Sequence, residues 1–225
     1  MNETLSFSAA QEKKRAKQAW NVFFAHLASA QAAAADECHS LALDLELEGR
    51  FDLADHYRVF ESEERAHAST MRSLCTEWVE PNRRTKRLLK AKLVGKAGDS
   101  LEKMAILHFS IDTSFLTFLG ALHRNAPDLI SDAAWAGQIQ TRLAPIVRDE
   151  VFHLNEGQEM TIELARGRSQ ESRQGLKRRL SIHQRLVARA FSRMFSGTNV
   201  PASWLAEMNE NSRHRFERSV DSILN

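Results

Sequence analysis

This sequence is constrained most by apolar residues that recur every three or four positions over stretches much longer than a β-strand. In the first such stretch, from roughly Gln11 to Glu48, the apolar stripe consists of Trp20, Phe23, Leu27, Ala30, Ala34, Leu41 and Leu45. Alternation with a period of two, which a half-buried strand requires, does not occur over any useful length. Only nine Gly and four Pro interrupt the 225 residues. The pattern therefore predicts an all-α protein built from long amphipathic helices.

Helix-breaking residues set the expected ends of the first two helices. Gly49 ends the first, and the second is predicted from about Asp52 to Trp78, just before Pro81. The segment that follows, Arg83 to Lys92, is rich in Arg and Lys and has room for a short helix. Its charge suits either a solvated helix face or a docking surface for an acidic partner.

The third helix is predicted to be the central helix of the bundle. It starts near Ser100, where Asp99 and Glu102 have the spacing of a capping box, and it is apolar nearly all round. We expect Asn125-Ala126-Pro127 to end it near Arg124, because proline inside a helix removes a backbone hydrogen bond.

The rest of the chain predicts a fourth long helix and a two-helix extension. The fourth helix begins between Ser131 and Pro145 and runs to about Arg166. Two more helices occupy residues 170–225 on either side of a Ser-Gly-Thr-Asn break at 196–199. We therefore expect a single domain over residues 1–225, in which a four-helix bundle at about 11–166 carries a C-terminal extension at about 170–225.

The composition is that of an ordinary globular protein. Apolar residues make up 43% of the chain and charged residues 27%, and the net charge of +2 is too small to indicate nucleic-acid binding by itself. Cys38 and Cys75 are the only cysteines, and they follow no disulfide or zinc pattern. The sequence shows neither a signal peptide nor an uninterrupted apolar run of membrane-spanning length. These features favour a reduced, cytoplasmic protein without a membrane partner.

Two of the predicted helices contain the same pair of possible metal ligands. Glu64 and His67 are three residues apart on the second helix, and Glu150 and His153 are three apart on the fourth. Residues three apart share a helix face, so each helix points a carboxylate and an imidazole in one direction. Both pairs continue apolar stripes and should face the core, where an unpaired carboxylate is costly. A pair of metal ions would remove that cost, and this is the dimetal arrangement of carboxylate bundles.

Such a site also needs a carboxylate from each of the other two helices. On the first helix Glu37 continues the apolar stripe, whereas Asp36 points about 100° away, so Glu37 is preferred and Asp36 stays the alternative. On the third helix Asp112 is the only acid inside the apolar segment. The predicted metal ligands are thus Glu37, Glu64, His67, Asp112, Glu150 and His153. Oxygen and nitrogen ligands of this kind suit iron or manganese.

Two neighbouring residues are expected to support these ligands rather than to bind metal. Asp149 precedes Glu150 and could accept a hydrogen bond from a ligating imidazole. His108 lies one helical turn before Asp112 and is interpreted as a supporting or core histidine.

The order acid, Glu-x-x-His, acid, Glu-x-x-His resembles the ferritin-like diiron carboxylate superfamily. The stretch Arg148-Asp149-Glu150-Val151-Phe152-His153-Leu154-Asn155-Glu156-Gly157-Gln158-Glu159 is similar to the second metal-binding helix of the cyanobacterial aldehyde-deformylating oxygenases. The similarity covers roughly Ala30 to Arg166, and the chain length and helix order are also close. Asp112 stands where that family has Glu, and residues near the site, such as His108 and His123, do not look like that family's aldehyde channel. The resemblance therefore extends to the metal chemistry and not to the aldehyde substrate.

The resemblance implies a ferritin-like bundle that holds two iron ions, with iron–manganese or manganese as variants. In that arrangement Glu64 and Glu150 bridge the metals, and the other four predicted ligands are terminal. It further implies an oxidoreductase that activates dioxygen with electrons from an external donor, such as a reductase or ferredoxin. The substrate would be small and largely apolar, or bound to a carrier. An acidic carrier protein and a homodimer are both compatible with this reading.

Other functions stay open from the sequence. A rubrerythrin-like or ferritin-like protein would handle peroxide or bind iron, although this chain has no Cys-x-x-Cys pair and extends well past the predicted site. A tRNA-modifying diiron hydroxylase would fit the basic stretches at 83–92 and 173–189. The last alternative is a helical adaptor that binds no metal.

Overall fold

The computed structural model describes residues 2–80 and 98–224, without the side chains of residues 2–10. The described residues form six helices, and none of these residues lies in a strand. The helices are α1 Asn2–Leu47, α2 Phe51–Leu74, α3 Ser100–Leu129, α4 Ala133–Arg166, α5 Gln170–Met194 and α6 Ala202–Val220, followed by a 3₁₀ turn at Asp221–Ile223. The prediction of an all-α protein is therefore confirmed.

The ends of the first two helices differ slightly from the prediction. α1 begins at Asn2, before the expected Gln11. Gly49 makes the turn into α2 with a φ of 75°, a left-handed conformation that glycine adopts easily. α2 ends at Leu74 and not at Trp78, because the backbone of Cys75 is extended, with φ −68° and ψ 123°. The predicted basic link at 83–92 lies outside the described residues.

The prediction that Pro127 ends the third helix is wrong. α3 continues through Pro127 to Leu129. Proline has no N–H to offer to the carbonyl four residues earlier, which here belongs to His123. The side-chain amide of Gln140 on α4 donates to that carbonyl oxygen at 3.1 Å. The packing of α4 thus supplies the hydrogen bond that proline cannot make, and the helix is able to continue.

α3 starts with a cap and has an irregular middle. The Asp99 carboxylate accepts a hydrogen bond from Glu102 N at 2.9 Å, as the capping prediction required, while the Glu102 side chain accepts one from Gly98 N. The segment Ile106–Asp112 has the wider turns of a π-helix, between α-helical segments on both sides. Such π segments frequently occur at functional sites.

α3 is also the most apolar helix among the described residues. By length and composition it could cross a membrane, but 94% of its most apolar window is buried inside the bundle. It packs against α4, α5 and α6 and also touches α1. This is the environment of a buried core helix.

Two hydrophobic clusters stabilise the bundle, and a buried polar layer lies between them along the helices. The larger cluster includes Trp20 to Ala28 of α1 and Met71 of α2, and the smaller includes Cys38 to Leu45 of α1 and Tyr57 of α2. The polar layer consists of Gln31, Glu64, His67, Glu150 and His153. Burying charged groups in a core is costly unless they pair with each other or bind an ion, so this layer is the candidate functional site.

Candidate metal centre

α2 and α4 approach each other through a repeated five-residue pattern. Glu63-Glu64-Arg65-Ala66-His67 on α2 and Asp149-Glu150-Val151-Phe152-His153 on α4 both read as acid, Glu, x, x, His. The inner side chains are almost inaccessible to solvent, with exposed fractions of 5% for Glu64, 4% for His67, 1% for Glu150 and 2% for His153. Both Glu-x-x-His pairs therefore face the core, as predicted.

Glu64, His67 and Glu150 form a group that could hold a metal ion. One possible ligand atom from each lies within 4.8 Å of the others. Glu64 Oε2 and His67 Nδ1 are buried and have no hydrogen-bond partner among the described residues. Buried polar atoms are nearly always satisfied, and two unsatisfied atoms within one group of possible ligands fit a bound cation.

The histidines cross between the two helices on the inner side of the layer. His67 Nδ1 on α2 lies 3.3 Å from Glu150 Oε1 on α4, a contact without hydrogen-bond geometry. His153 Nδ1 on α4 lies 3.4 Å from Glu64 Oε1 on α2. Each imidazole therefore presents Nδ1 to the buried carboxylate of the opposite helix, and the two halves of the site match.

On the outer side, each imidazole is held by an acid of the opposite helix. His67 Nε2 donates to Asp149 Oδ2 at 3.3 Å, and His153 Nε2 donates to Glu63 Oε2 at 2.6 Å. The expected support of an imidazole by Asp149 is thus present. The role of Glu63 was not predicted, although it occupies the same place in the five-residue pattern. Such outer carboxylates fix the tautomer and orientation of a ligating histidine.

Burial and proximity shift the pKa values in this layer. Burial and the charge of Glu150 raise the pKa of Glu64 to about 8, against the opposing effect of the hydrogen-bonded His153. Burial disfavours the charged form of His153, but the carboxylates of Glu64, Glu150 and Glu63 outweigh it and raise its pKa to about 10. For His67 burial is likewise outweighed, mainly by Glu150, and its pKa is raised. The metal-free layer therefore retains protons at neutral pH that a bound cation would displace.

α1 contributes Gln31, which sequence reasoning missed. Its side-chain amide donates to Glu150 Oε1 at 2.7 Å, and the residue is 4% exposed. The bond holds the Glu150 carboxylate in place from a third helix. The available signal was an amide residue next to the apolar stripe at Leu27, Ala30 and Ala34.

Asp112, the predicted ligand from the third helix, lies at the end of a buried hydrogen-bonded chain. His108 Nδ1 donates to Asp112 Oδ2 at 2.7 Å, and Tyr57 OH bonds to His108 Nε2 at 2.6 Å. None of the three residues is more than 7% exposed. Burial raises the pKa of Asp112, although the hydrogen bond from His108 opposes that effect. His108 therefore supports Asp112, in agreement with its interpretation from the sequence.

Gly157 on α4 provides the space for the hydrogen-bonded residues Tyr57, His108 and Asp112. A Cβ atom at position 157 would lie only 2.2 Å from Nδ1 of His108. Glycine therefore allows the imidazole ring to pack directly against the α4 backbone. A glycine inside a helix signals this kind of close approach, but its partner could not be identified from the sequence.

The two α1 candidates lie beside the compact group and not within it. Glu37 is half-buried and lines a partly open cavity together with Asp112 and Glu150. Asp36 lines the exposed end of the same cavity and lies 3.6 Å from Arg65. Of the two, Glu37 is the acid that points further into the protein.

This cavity, of about 370 Å³, lies between α1, the π segment of α3, and α5. Its walls are mainly apolar and include Leu107, Ile111, Phe115, Val187 and Phe191. Gln31, Asp112 and Glu150 give it a polar side next to the candidate metal centre. Its volume is in the range of pockets that hold small molecules. A small apolar molecule bound there would contact the carboxylates of the site.

Comparison with known proteins identifies no relative: no family model, no curated protein and no solved structure matches this chain. The site is therefore interpreted from its own residues. Four of the predicted ligands meet in the polar layer: Glu64, His67, Glu150 and His153. The other two, Glu37 and Asp112, border the adjoining cavity.

Proposed function

We propose that this protein is a ferritin-like, cytoplasmic oxidase or oxygenase that holds two iron ions, or an iron–manganese pair, and oxidises a small apolar molecule with dioxygen. The observation that carries the proposal is the buried Glu64–His67–Glu150 group beside an apolar cavity. Apolar residues of similar size would often stabilise a core as well or better, so a buried charged layer calls for a functional reason.

The residues of the layer fit such metals. They offer carboxylate oxygens and imidazole nitrogens, which suit iron and manganese, and they include the unsatisfied atoms Glu64 Oε2 and His67 Nδ1. The ions would be held by Glu64, His67, Glu150 and His153, with Asp112 and Glu37 as further carboxylates. Bound iron would supply the redox chemistry that dioxygen requires, with electrons from an external donor protein.

The chain's own residues prepare the histidines to bind through Nδ1. The Nε2–H groups of His67 and His153 donate to Asp149 and Glu63, so Nδ1 is the nitrogen that each ring would offer to a metal. The pKa values of both rings are raised, which favours their protonated forms in the metal-free layer, and a bound cation would displace such protons. Gln31 keeps the Glu150 carboxylate in place while this exchange occurs.

The cavity would orient the substrate against the site. The cavity has an apolar surface formed by Phe115, Val187 and Phe191, and it is also lined by Asp112 and Glu150. An apolar molecule in this space would exclude water from the carboxylates that line it. The geometry therefore supports oxidation of a small, uncharged molecule better than storage of iron, which needs no apolar cavity.

The basic face of α5 does not favour a tRNA substrate. Arg185, Arg189 and Arg193 occupy the face of α5 opposite to that of Val187 and Phe191, which line the cavity. An RNA held by those arginines would therefore be separated from the site by the helix itself.

The test is metal binding followed by exposure to air. The purified protein is loaded anaerobically with ferrous iron, the excess is removed, and bound iron per chain is measured. We expect close to two irons per chain, and a visible absorption band that appears only when oxygen is admitted. Glu150→Ala should lose most of the bound iron, because Glu150 belongs to the compact group of ligands.

Glu159→Ala provides the matched control. Glu159 lies on the same helix but is exposed, so its removal should change neither iron content nor the spectrum. Comparable iron in wild type and Glu150→Ala, or iron without any reaction with oxygen, would contradict the proposal. Circular dichroism of both variants checks that the helices are intact.

A further inference from the structure

α5 is the most basic of the described helices. Within its 25 residues the only acid is Glu171. Its basic residues are Arg173, Lys177, Arg178, Arg179, Arg185, Arg189 and Arg193. Because the whole chain has a net charge of only +2, α5 is one of two concentrations of positive charge in the sequence, the other being the segment Arg83 to Lys92. Arg185, Arg189 and Arg193 are exposed and spaced four residues apart, so they form one stripe along the helix.

The arginine stripe borders a groove of about 480 Å³ between α5 and α6. Small residues, Ala188 on α5 and Ala206 on α6, line it, and Ser192 and Asn209 bridge the two helices with hydrogen bonds of 2.8 and 3.1 Å. Gln184, also at the groove, is buried and donates to Ser212 Oγ on α6 at 2.7 Å. These bonds join the two helices, so the groove is preformed.

The positive charge of the stripe is not balanced by ion pairs among the described residues. No ion pair is formed by Arg185, Arg189 or Arg193 within the part of the chain that the structure describes, whereas Arg213 on the α6 wall is bonded to Glu210 and Glu217. Like charges four residues apart on a helix repel one another. An anionic partner in the groove would relieve that repulsion.

We propose that this groove binds an acidic α-helix of a partner protein. Carboxylates four residues apart on a helix recur about every 6 Å, which matches the spacing of the three arginines. Ala188 and Ala206 allow a helix to approach closely, and the arginine side chains form planar, two-pronged contacts with carboxylates.

Features of the groove favour a protein over a nucleic acid. The Glu210 carboxylate on the α6 wall is paired with Arg213, so the attraction for an anionic partner comes from the arginines of α5. Among the described residues, no aromatic side chain lines the groove, although single-stranded nucleic acids are typically bound by stacking on aromatic residues.

The groove and the cavity lie on opposite sides of α5, and binding in the groove does not require a bound metal. The opposite face of α5 contributes Val187, Ala190 and Phe191 to the cavity wall. A partner in the groove would therefore lie one helix away from the cavity. The binding itself requires only α5 and α6, so it holds whether or not the polar layer binds metal.

The experiment uses the full chain and a fluorescent synthetic helical peptide with Glu at every fourth position of one face. Fluorescence anisotropy at low ionic strength should show saturable binding that weakens as salt is added. Replacing Arg185, Arg189 and Arg193 together by Gln should weaken binding about tenfold or more. A peptide with Gln in place of each Glu should not bind.

A second triple variant controls for net charge. Arg178→Gln, Arg215→Gln and Arg218→Gln remove the same charge from exposed positions outside the groove, and binding should stay within about twofold of wild type. Equal loss in both triple variants, or no binding by wild type, would overturn the proposal. So would tighter binding of a single-stranded oligonucleotide that depends on the same three arginines. Thermal unfolding of each variant confirms that it is folded.

Discussion

The packing of His108 in the candidate site requires that residue 157 has no Cβ atom. The His108 ring fills the space where a Cβ of residue 157 would be, at 2.2 Å. We expect Gly157→Ala to destabilise the metal-free protein by about 1–3 kcal/mol, the usual cost of overpacking a core. The free energy of unfolding, measured with urea, provides the number.

Gly137 supplies a control on the same helix. A Cβ at Gly137 would meet nothing within 4 Å, so Gly137→Ala should be neutral or stabilising, by up to about 1 kcal/mol through helix propensity alone. If the two substitutions had the same effect, the close packing of His108 on α4 would be refuted.

At the residue scale, helix periodicity was sufficient to predict which side chains face inward. Glu64 and His67 lie on the line of Tyr57 and Met71, and all four are buried. Gln31 and Glu63 could not be assigned in the same way. Their roles depend on which residue of another helix lies opposite, and that follows from helix rotation and separation, which periodicity does not specify.

At the scale of elements, Tyr57 connects α2 to α3 and thereby to Asp112. Its hydroxyl bonds to His108 Nε2 at 2.6 Å, and His108 holds Asp112 Oδ2 at 2.7 Å. If Asp112 serves one of two metal ions, Tyr57→Phe should weaken the second equivalent of metal by about tenfold, since support of a ligand is typically worth that much. The first equivalent should be unaffected. Calorimetric titration with Co²⁺ separates the two.

Thr117→Val is the matched control for this variant. The Thr117 hydroxyl is also buried in α3, but it bonds only to its own helix, at Thr113 O over 2.7 Å. Its removal should lower stability by about 1 kcal/mol without changing either metal equivalent. If wild type binds two metal ions and Tyr57→Phe binds them equally well, Tyr57 is a packing residue only.

The third helix shows where local sequence rules were insufficient. Proline normally ends a helix, yet Pro127 lies inside α3 because Gln140 of α4 satisfies the free carbonyl of His123. Similarly, no local signal predicted the π segment Ile106–Asp112. For the proline, the decisive contact comes from Gln140 of another helix. The π segment also has a close contact with another helix, since its His108 packs against Gly157 of α4.

On the scale of the whole molecule, a charged layer lies in the core between two hydrophobic clusters. Burial of Glu64, Glu150 and two histidines lowers the stability that the clusters would otherwise give, and a cation would restore it. The long helices of this arrangement follow from repeated sequence patterns. The position of α5 and α6 against α3 does not follow from these patterns, because the long apolar face of each helix could pack in several registers.

The same layer makes the stability of the metal-free protein depend on pH. The folded-state pKa of Glu64 is raised from 4.5 to about 8, and that of His153 from 6.5 to about 10. At a pH between the unfolded-state and folded-state pKa of either group, the folded protein holds a proton that the unfolded chain has released. The free energy of unfolding therefore falls as pH rises through that range. The fall should be steepest between about pH 6.5 and 8, where both groups contribute. Urea midpoints of the metal-free protein across this range measure it.

Two comparisons make this prediction specific to the layer. Glu64→Gln removes one of the two titrating groups and should flatten the slope. Metal displaces the same protons, so the stabilisation that Co²⁺ gives to wild type should grow as pH rises, because fewer protons compete. A metal-free stability that is constant or increases from pH 6.5 to 8 would show that Glu64 and His153 do not retain their protons in the core. The layer would then be a fixed ion-pair network that needs no cation, and the case for a metal centre would lose its electrostatic basis.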